Sequence, residues 1–189
     1  MLKKMRGFTL IELLIVVAII GILAALLIPN ALAAIQKAKQ KTAMKEIMTI
    51  STGAMDYITD HGDWTGVNQS ADLVATTGMG LKIAPFYIKA VPVKDPWNKA
   101  YQACVGATDA LGFTTNLATG TLGGDDFFIA SLGRNNDKGA LQYDPASPDD
   151  SRYNVNGMAD FDNDLVCWSG NWIIAPANVI SSTSTSTGS

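Results

Sequence analysis

The chain has 189 residues, of which 48% are hydrophobic and 16% are charged, and its formal net charge is -3. This length allows one domain with a sizeable core and an additional segment. The hydrophobic share excludes a disordered chain, the low charged share excludes a coiled-coil rod, and the negative net charge argues against a basic nucleic-acid-binding protein.

Charge is distributed unequally between the two ends of the chain. Residues 1–50 contain seven Lys or Arg and two acidic residues, for a net charge of +5, whereas residues 51–189 have a net charge of -8. Lys3, Lys4 and Arg6 precede an apolar stretch, and positive residues stay on the cytoplasmic side of membranes. We therefore expect a cytoplasmic N-terminus and an exported acidic remainder.

The apolar stretch is long enough to cross a membrane. Sixteen consecutive residues from Leu13 to Ile28 lack a polar side chain, and only Thr9 and Glu12 are polar between Phe8 and Ile28. As a helix, this segment spans roughly 30 Å, the thickness of a bilayer core. It is longer than the apolar part of a signal peptide, and it lacks the polar stripe of a globular core helix. We predict a membrane-spanning helix over residues 8–30.

Glu12 is a carboxylate near the start of this apolar helix. Such a position is costly unless a cation accompanies the charge. Arg6 is the nearest cationic side chain toward the N-terminus. A cut between Gly7 and Phe8 would create another cation, an ammonium at Phe8, four residues before Glu12. That amine could neutralise Glu12 of its own chain or of a neighbouring subunit.

The helix is predicted to continue as an amphipathic segment over residues 31–62. Gly21 and Pro29 are expected to kink or locally melt it. A stripe of residues with helical spacing is predicted to contact a globular domain, and it comprises Met44, Ile47, Met48, Ser51, Met55 and Ile58. Lys37, Lys41 and Lys45 form another face, which would meet solvent, anionic headgroups or acidic surfaces of neighbouring subunits. Gly62 is a suitable residue to end the helix.

The remainder predicts a small β-rich domain over residues 63–180. Short apolar runs separated by turn residues indicate strands at Tyr101–Val105, Asp126–Leu132, Leu165–Trp168 and Trp172–Ile174. A loop or short helix is expected around Ala71–Gly80. The predicted fold class is α+β, with the long helix on an antiparallel sheet. Residues 181–189 are a low-complexity Ser/Thr tail, predicted to be disordered.

Two features of the exported domain are candidates for cross-links or ligands. Cys104 and Cys167 either form a disulfide or remain separate buried thiols. Asp160, Asp162 and Asp164 would share one face of an extended segment, where a calcium ion or solvent would screen them. The single histidine, His61, excludes a multi-histidine metal centre, and no arrangement of residues indicates catalysis.

The N-terminal segment closely resembles type IV prepilins and type II secretion pseudopilins. The resemblance lies in KKMRGFTLIEL, residues 3–13, and continues through IVVAIIGILAALLIPN, residues 15–30. A weaker similarity to the major pseudopilins follows in VKDPWNKAY, residues 93–101, where Asn98-Lys99-Ala100 replaces the Gly-Asn-Pro of that family. Residues 131–133 and 159–161 resemble its calcium loop region, with Asn135 where the family usually has Asp.

This resemblance implies a pilin fold and a structural subunit of a filament. It implies that a prepilin peptidase removes residues 1–7 by cutting after Gly7, that Phe8 is N-methylated, and that Glu12 meets the N-terminal amine of an adjacent subunit. It also implies an inner-membrane assembly platform with a cytoplasmic ATPase. The positions that match the calcium loop are Leu132 through its carbonyl, Asn135, Asp137 and Asp160.

Several functions remain open at the level of sequence. The filament would be a type IV pilus on the cell surface or a type II secretion pseudopilus in the periplasm. The alternative is a membrane-anchored monomeric binding or sensor domain that retains its leader. A polar turn rich in Asn and Asp also explains residues 135–139 without calcium.

Overall fold

The computed structural model describes residues 7–68, 70–106, 111–115 and 122–177. The leader residues 1–6 and the predicted Ser/Thr tail, residues 181–189, lie outside this part of the chain. Two compact units divide the protein, Met1–Gln36 and Lys37–Ser189. The first contains the apolar half of the long helix, and the second contains the amphipathic half with the sheet.

The elements confirm an α+β fold. Helix α1 covers Leu10–His61 and is followed by a sheet of short strands. The other elements, in chain order, are β1 Ser70–Asp72, α2 Gly78–Ile83, β2 Gln102–Val105, β3 Phe127–Ser131, β4 Arg152–Tyr153, β5 Leu165–Trp168 and β6 Asn171–Pro176. Two 3-10 helices, Pro148–Ser151 and Met158–Asp162, precede β4 and β5. The four predicted strands are confirmed, whereas β1 and β4 are additional.

The six strands form one sheet in the order β1-β2-β3-β5-β6-β4. All neighbours are antiparallel except β4 and β6, which are parallel. Every residue of the central strand β3 is buried, because both faces of the sheet are covered. One face meets α1, as shown by Ser51 and Cys167, whose Oγ and Sγ atoms lie 3.6 Å apart.

The predicted contact stripe of α1 is correct in part. Met44, Ile47 and Ser51 are buried and Met48 and Ile58 are half-buried. Met55, however, is exposed. The buried face also includes residues that the predicted stripe missed, namely Ala43, Ile50, Gly53, Ala54 and Tyr57. Gly53 is required for this packing, since a Cβ there would lie 2.4 Å from Cγ1 of Ile88.

Helix α1 runs without interruption through Gly21 and Pro29, so the predicted local melting is absent. Proline still removes one backbone donor, which leaves the Ala25 carbonyl without its usual partner four residues on. The predicted end of the helix is confirmed. Gly62 follows the last helical residue, His61, with φ of 90°, and its N–H donates to the Ile58 carbonyl at 2.7 Å.

Of the two alternatives for Cys104 and Cys167, the structure has separate buried thiols rather than a disulfide. The two cysteines are on β2 and β5, which are separated by β3. Cys104 is aligned with Phe128, whereas Cys167 is aligned with the next residue, Ile129. Because adjacent residues of a strand point to opposite faces, the two thiols are on different sides of the sheet. Both are buried, and no disulfide joins them.

Residues 95–97, Asp-Pro-Trp, begin a tight turn, the DPW turn, that is hydrogen-bonded to the central strand β3. Asp95 is buried, and its Oδ1 accepts hydrogen bonds from the Trp97 and Lys99 N–H groups at 3.0 and 2.9 Å. Its Oδ2 accepts one from the Ser131 hydroxyl at 2.8 Å. The segment therefore has a structural role, since one carboxylate organises its own turn and anchors it to β3.

Asn98 occupies a left-handed backbone conformation in this turn, with φ of 66°. Glycine and asparagine tolerate this region best, which explains how Asn can replace the Gly of the resembling family. We expect Asn98→Ala to lower the free energy of unfolding by about 1 kcal/mol, and Asn98→Gly to change it by less than about 0.5 kcal/mol. Thermal denaturation of the purified full-length chain measures both. Equal destabilisation by Ala and Gly would contradict this explanation.

Candidate functional site: the N-terminal segment and the acidic loops

The start of α1 is a reciprocal capping arrangement. Thr9 precedes the helix, and its N–H and hydroxyl donate to Oε2 of Glu12 at 2.8 and 2.6 Å. The Glu12 N–H in turn donates to the Thr9 hydroxyl at 3.3 Å. This is the capping box expected from a Thr-x-x-Glu sequence, a signal that the sequence analysis missed. Glu12 therefore stabilises the start of its own helix.

The bond between Gly7 and Phe8 lies outside the helix. Both residues precede α1 in irregular backbone, and both are exposed. In the chain that retains residues 1–7, the helix begins at Leu10, so Phe8 lies before it. The two carboxylate oxygens of Glu12 differ, since both Thr9 hydrogen bonds go to Oε2 and none within the described part of the chain goes to Oε1.

The apolar half of α1 presents its side chains outward. The helix is long and apolar enough to cross a membrane, and the most apolar window of 18 residues is not buried within the chain at all. Large apolar residues are exposed all along this stretch, from Leu10 to Ile35. A surface of this size requires a partner phase, either lipid or protein.

The three aspartates predicted to share one face have separate partners. Asp160 accepts hydrogen bonds from the Asn156 and Gly157 N–H groups, both at 2.8 Å, and so caps a 3-10 helix. Asp162 receives two hydrogen bonds from the Arg134 guanidinium, both at 2.8 Å. The predicted extended segment is wrong, because Met158–Asp162 is a 3-10 helix. Among the described residues, no three acidic, His or Cys side chains form a metal-binding group.

Asp164 differs from the other two because it is buried and incompletely paired. Its Oδ2 accepts a hydrogen bond from the Gly139 N–H at 2.9 Å, while its buried Oδ1 has no partner in the described part of the chain. The loop containing Gly139 begins at Gly133, whose backbone packs closely on Asp162 and Asn163. Asn135 accepts a hydrogen bond from the Asp137 N–H at 3.1 Å, which gives the predicted polar turn.

Comparison with known proteins identifies the family. The family described as the prokaryotic N-terminal methylation motif matches residues 2–28. Type II secretion system core protein G of Vibrio cholerae is 35% identical over 108 residues, covering 53% of this chain and 73% of that protein. The Pseudomonas aeruginosa core protein G is 31% identical over 147 residues, covering 75% of this chain and 92% of that protein.

The chain belongs to the type IV pilin and pseudopilin family.

A relative from the pilus branch is also similar. A fimbrial protein of Neisseria meningitidis serogroup B is 40% identical over 94 residues, covering 48% of this chain and 51% of that protein. No solved structure matches the chain significantly. Together with the fold, these similarities make the protein a pilin-like structural subunit, whose relatives are named as secretion-system and fimbrial proteins rather than as enzymes.

Burial of Asp164 should make the stability of the β-rich domain depend on pH. Burial raises the pKa of Asp164 to about 6, although the Gly139 hydrogen bond and Lys138 oppose this shift. The folded chain therefore holds the proton more tightly than the unfolded chain, so stability should fall as pH rises from about 4 to 6. A rise of the Asp164 pKa from 3.8 to about 6 corresponds to a loss of about 3 kcal/mol in the free energy of unfolding once the carboxyl group is ionised.

Asp164→Asn provides the test, because the amide stays neutral and can still accept from Gly139. The stability advantage of the variant over the wild type should grow between pH 4 and 6 and then level off. Urea denaturation of the full-length chain at several pH values measures this difference. A constant difference across that range would show that Asp164 is not the titrating group.

Proposed function

We propose that this subunit polymerises into a helical filament after a prepilin peptidase cuts between Gly7 and Phe8 and Phe8 is N-methylated. The observation that carries the proposal is the outward-facing apolar half of α1, which contains a single carboxylate, Glu12, at its start. Before assembly this helix anchors the precursor in the inner membrane. In the filament the same surface packs against other copies.

Glu12 is the residue that selects the correct neighbour. Cleavage creates an ammonium group at Phe8, and Oε1 of Glu12 is available to accept it while Oε2 remains bonded to Thr9. A carboxylate left unpaired among apolar helices is costly, and a neighbour's amine relieves that cost. Docking in any other register would leave both charges without a partner.

The match to core protein G is more extensive than the match to the fimbrial protein, and this supports a pseudopilus rather than a type IV pilus. It covers 92% of the Pseudomonas aeruginosa protein, compared with 51% of the fimbrial protein. The partners would then be the assembly platform in the inner membrane and its cytoplasmic ATPase, and the acidic domain would lie in the periplasm. A surface pilus is the other outcome, with the domain outside the cell.

N-terminal mass spectrometry of the protein from its native cells tests the processing step. We expect the mature chain to begin with N-methylated Phe8. An intact Met1 would refute the proposal and favour the monomeric anchored domain instead. Electron microscopy of sheared surface material then distinguishes a surface pilus from a periplasmic pseudopilus.

We further propose Asp164 as the central ligand of a calcium site. Its buried Oδ1 has no partner in the described part of the chain, and the loop that donates the Gly139 N–H to Asp164 follows Leu132 and contains Asn135 and Asp137, whose oxygens would complete the ligand set. Asp160 and Asp162 are less suitable, because backbone N–H groups and Arg134 already occupy them. The Lys138 ammonium lowers the pKa of Asp164 and so favours the carboxylate form that calcium requires.

Thermal denaturation with calcium and with a chelator tests this site at pH 7. We expect calcium to raise the melting temperature of the wild type and to leave that of Asp164→Asn unchanged. Asp160→Asn is the matched control and should retain the response. An identical melting temperature for the wild type in calcium and in chelator would exclude the site.

A further inference from the structure

An open groove lies at the C-terminal end of α1. Tyr57, Asp60 and His61 of the helix form one part of its lining, and Leu81, Phe86 and Tyr87 form another. Its volume is about 460 Å³. Phe86 is 83% exposed and Leu81 is 55% exposed, so two large apolar side chains face solvent here. Such a surface is typical of an interaction site.

The groove combines aromatic rings with negative charge. Tyr57 stacks on His61 with ring centroids 4.2 Å apart, and the Tyr87 ring stands edge-on to Tyr57 at 5.8 Å. The Tyr87 hydroxyl donates to Oδ2 of Asp60 at 2.8 Å. Aromatic rings next to a carboxylate attract cationic side chains.

The electrostatics of Tyr87 agree with this description. Burial, the hydrogen bond to Asp60 and the negative charges of Asp60 and Asp56 raise the pKa of Tyr87 to about 12. Asp56 and Asp60 are both exposed and are four residues apart on α1, so they lie on the same side of the helix. Lys82 also lines the groove and offsets part of this charge.

Two lysines with the same four-residue spacing as Asp56 and Asp60 lie on the same helix, nearer its middle. Lys41 and Lys45 are exposed and four residues apart, and neither forms an ion pair with a described residue. Fifteen residues separate Lys45 from Asp60, or roughly 22 Å along the helix. A lysine side chain cannot cover that distance, so Lys45 cannot reach the groove of its own chain.

We propose that the groove binds Lys45 of a second, parallel copy of this chain, with Lys41 and Lys45 of that copy pairing with Asp56 and Asp60. This inference rests on the proposed assembly and adds to it a contact with a different neighbour, because the copy whose amine meets Glu12 is offset by only four residues, roughly 6 Å. Two parallel copies in register would place lysines against lysines, whereas a shift of fifteen residues, roughly 22 Å, brings opposite charges together. The two surfaces differ, so each copy still offers one of them to a further copy. A contact of this kind produces an open filament rather than a closed dimer.

Charge reversal in the full-length chain, expressed in its native cells, tests the proposal. We expect Lys41→Glu with Lys45→Glu to reduce the yield of filaments at least tenfold, and Asp56→Lys with Asp60→Lys to do the same. All four substitutions together should restore most of the yield. Lys94→Glu with Asp125→Lys is the matched control on exposed residues elsewhere and should have no effect.

Phe86→Ala provides a second test that does not alter charge. Because this side chain is mostly exposed, its loss should leave the melting temperature unchanged while reducing the filament yield. Normal filaments from both charge-reversed variants would overturn the inference, and so would failure of the fourfold variant to recover. A wild-type chain that forms no filaments would instead contradict the proposed function itself.

Discussion

Glu12→Ala should abolish incorporation into filaments and leave leader cleavage intact. The substitution removes the carboxylate that the proposed function pairs with the N-terminal amine of a neighbour, so that amine would be buried without a counter-ion. Truncating one partner of such a pair typically costs about 3–5 kcal/mol, which is a loss of more than a hundredfold in association. Immunoblotting for the cleaved chain and electron microscopy of filaments measure the two outcomes separately.

The capping arrangement supplies the necessary control. Glu12→Ala removes both the charge and the cap, whereas Thr9→Ala removes the hydroxyl and keeps the carboxylate. Loss of the cap alone costs about 1 kcal/mol of helix stability. We therefore expect Thr9→Ala to assemble, with a modest reduction. If Thr9→Ala were as defective as Glu12→Ala, capping rather than pairing would explain the role of Glu12.

Asp95→Ala should be the most destabilising of the substitutions in the β-rich domain. It leaves the Trp97 and Lys99 N–H groups and the buried Ser131 hydroxyl without their acceptor. Unpaired donors of this kind cost about 1–3 kcal/mol each when they remain buried. We expect a loss of about 3 kcal/mol, or roughly 10 °C in melting temperature for a domain of this size.

Two variants separate the contributions to this effect. Asp95→Asn keeps an acceptor for the turn and should lose about half as much stability as Asp95→Ala, whereas Ser131→Ala removes only the link to β3. The two single losses at Asp95 and Ser131 should not add, because they share one hydrogen bond. Additive losses would show that the DPW turn and β3 are energetically independent.

Local patterns predicted the elements of this protein well, because they depend on residues close together in the chain. The apolar run from Leu13 to Ile28, the glycine at position 62 and the short apolar runs of β3 and β5 each indicate an element directly. The same holds for the N-terminal family motif, which occupies a single continuous segment. The Thr9–Glu12 cap was equally local and could have been read from its spacing.

The tertiary structure decided which of the aspartates and cysteines lie close to one another. The three aspartates at positions 160, 162 and 164 do not form one set of metal ligands. Asp162 is paired with Arg134, which is 28 residues away, while Asp160 caps a 3-10 helix and Asp164 is buried. The cysteines failed to pair because strand order inserted β3 between them and register placed them on opposite faces.

The sequence by itself thus determined that the protein has a membrane-length helix, a carboxylate at its start and an α+β domain. These properties follow from hydropathy, charge and short motifs, which act within a few turns of helix or one strand. Only the tertiary structure decided the role of Asp95, the isolation of Asp164 and the groove beside Asp60. Each of these depends on contacts between segments far apart in the chain, whose free energies no local pattern encodes.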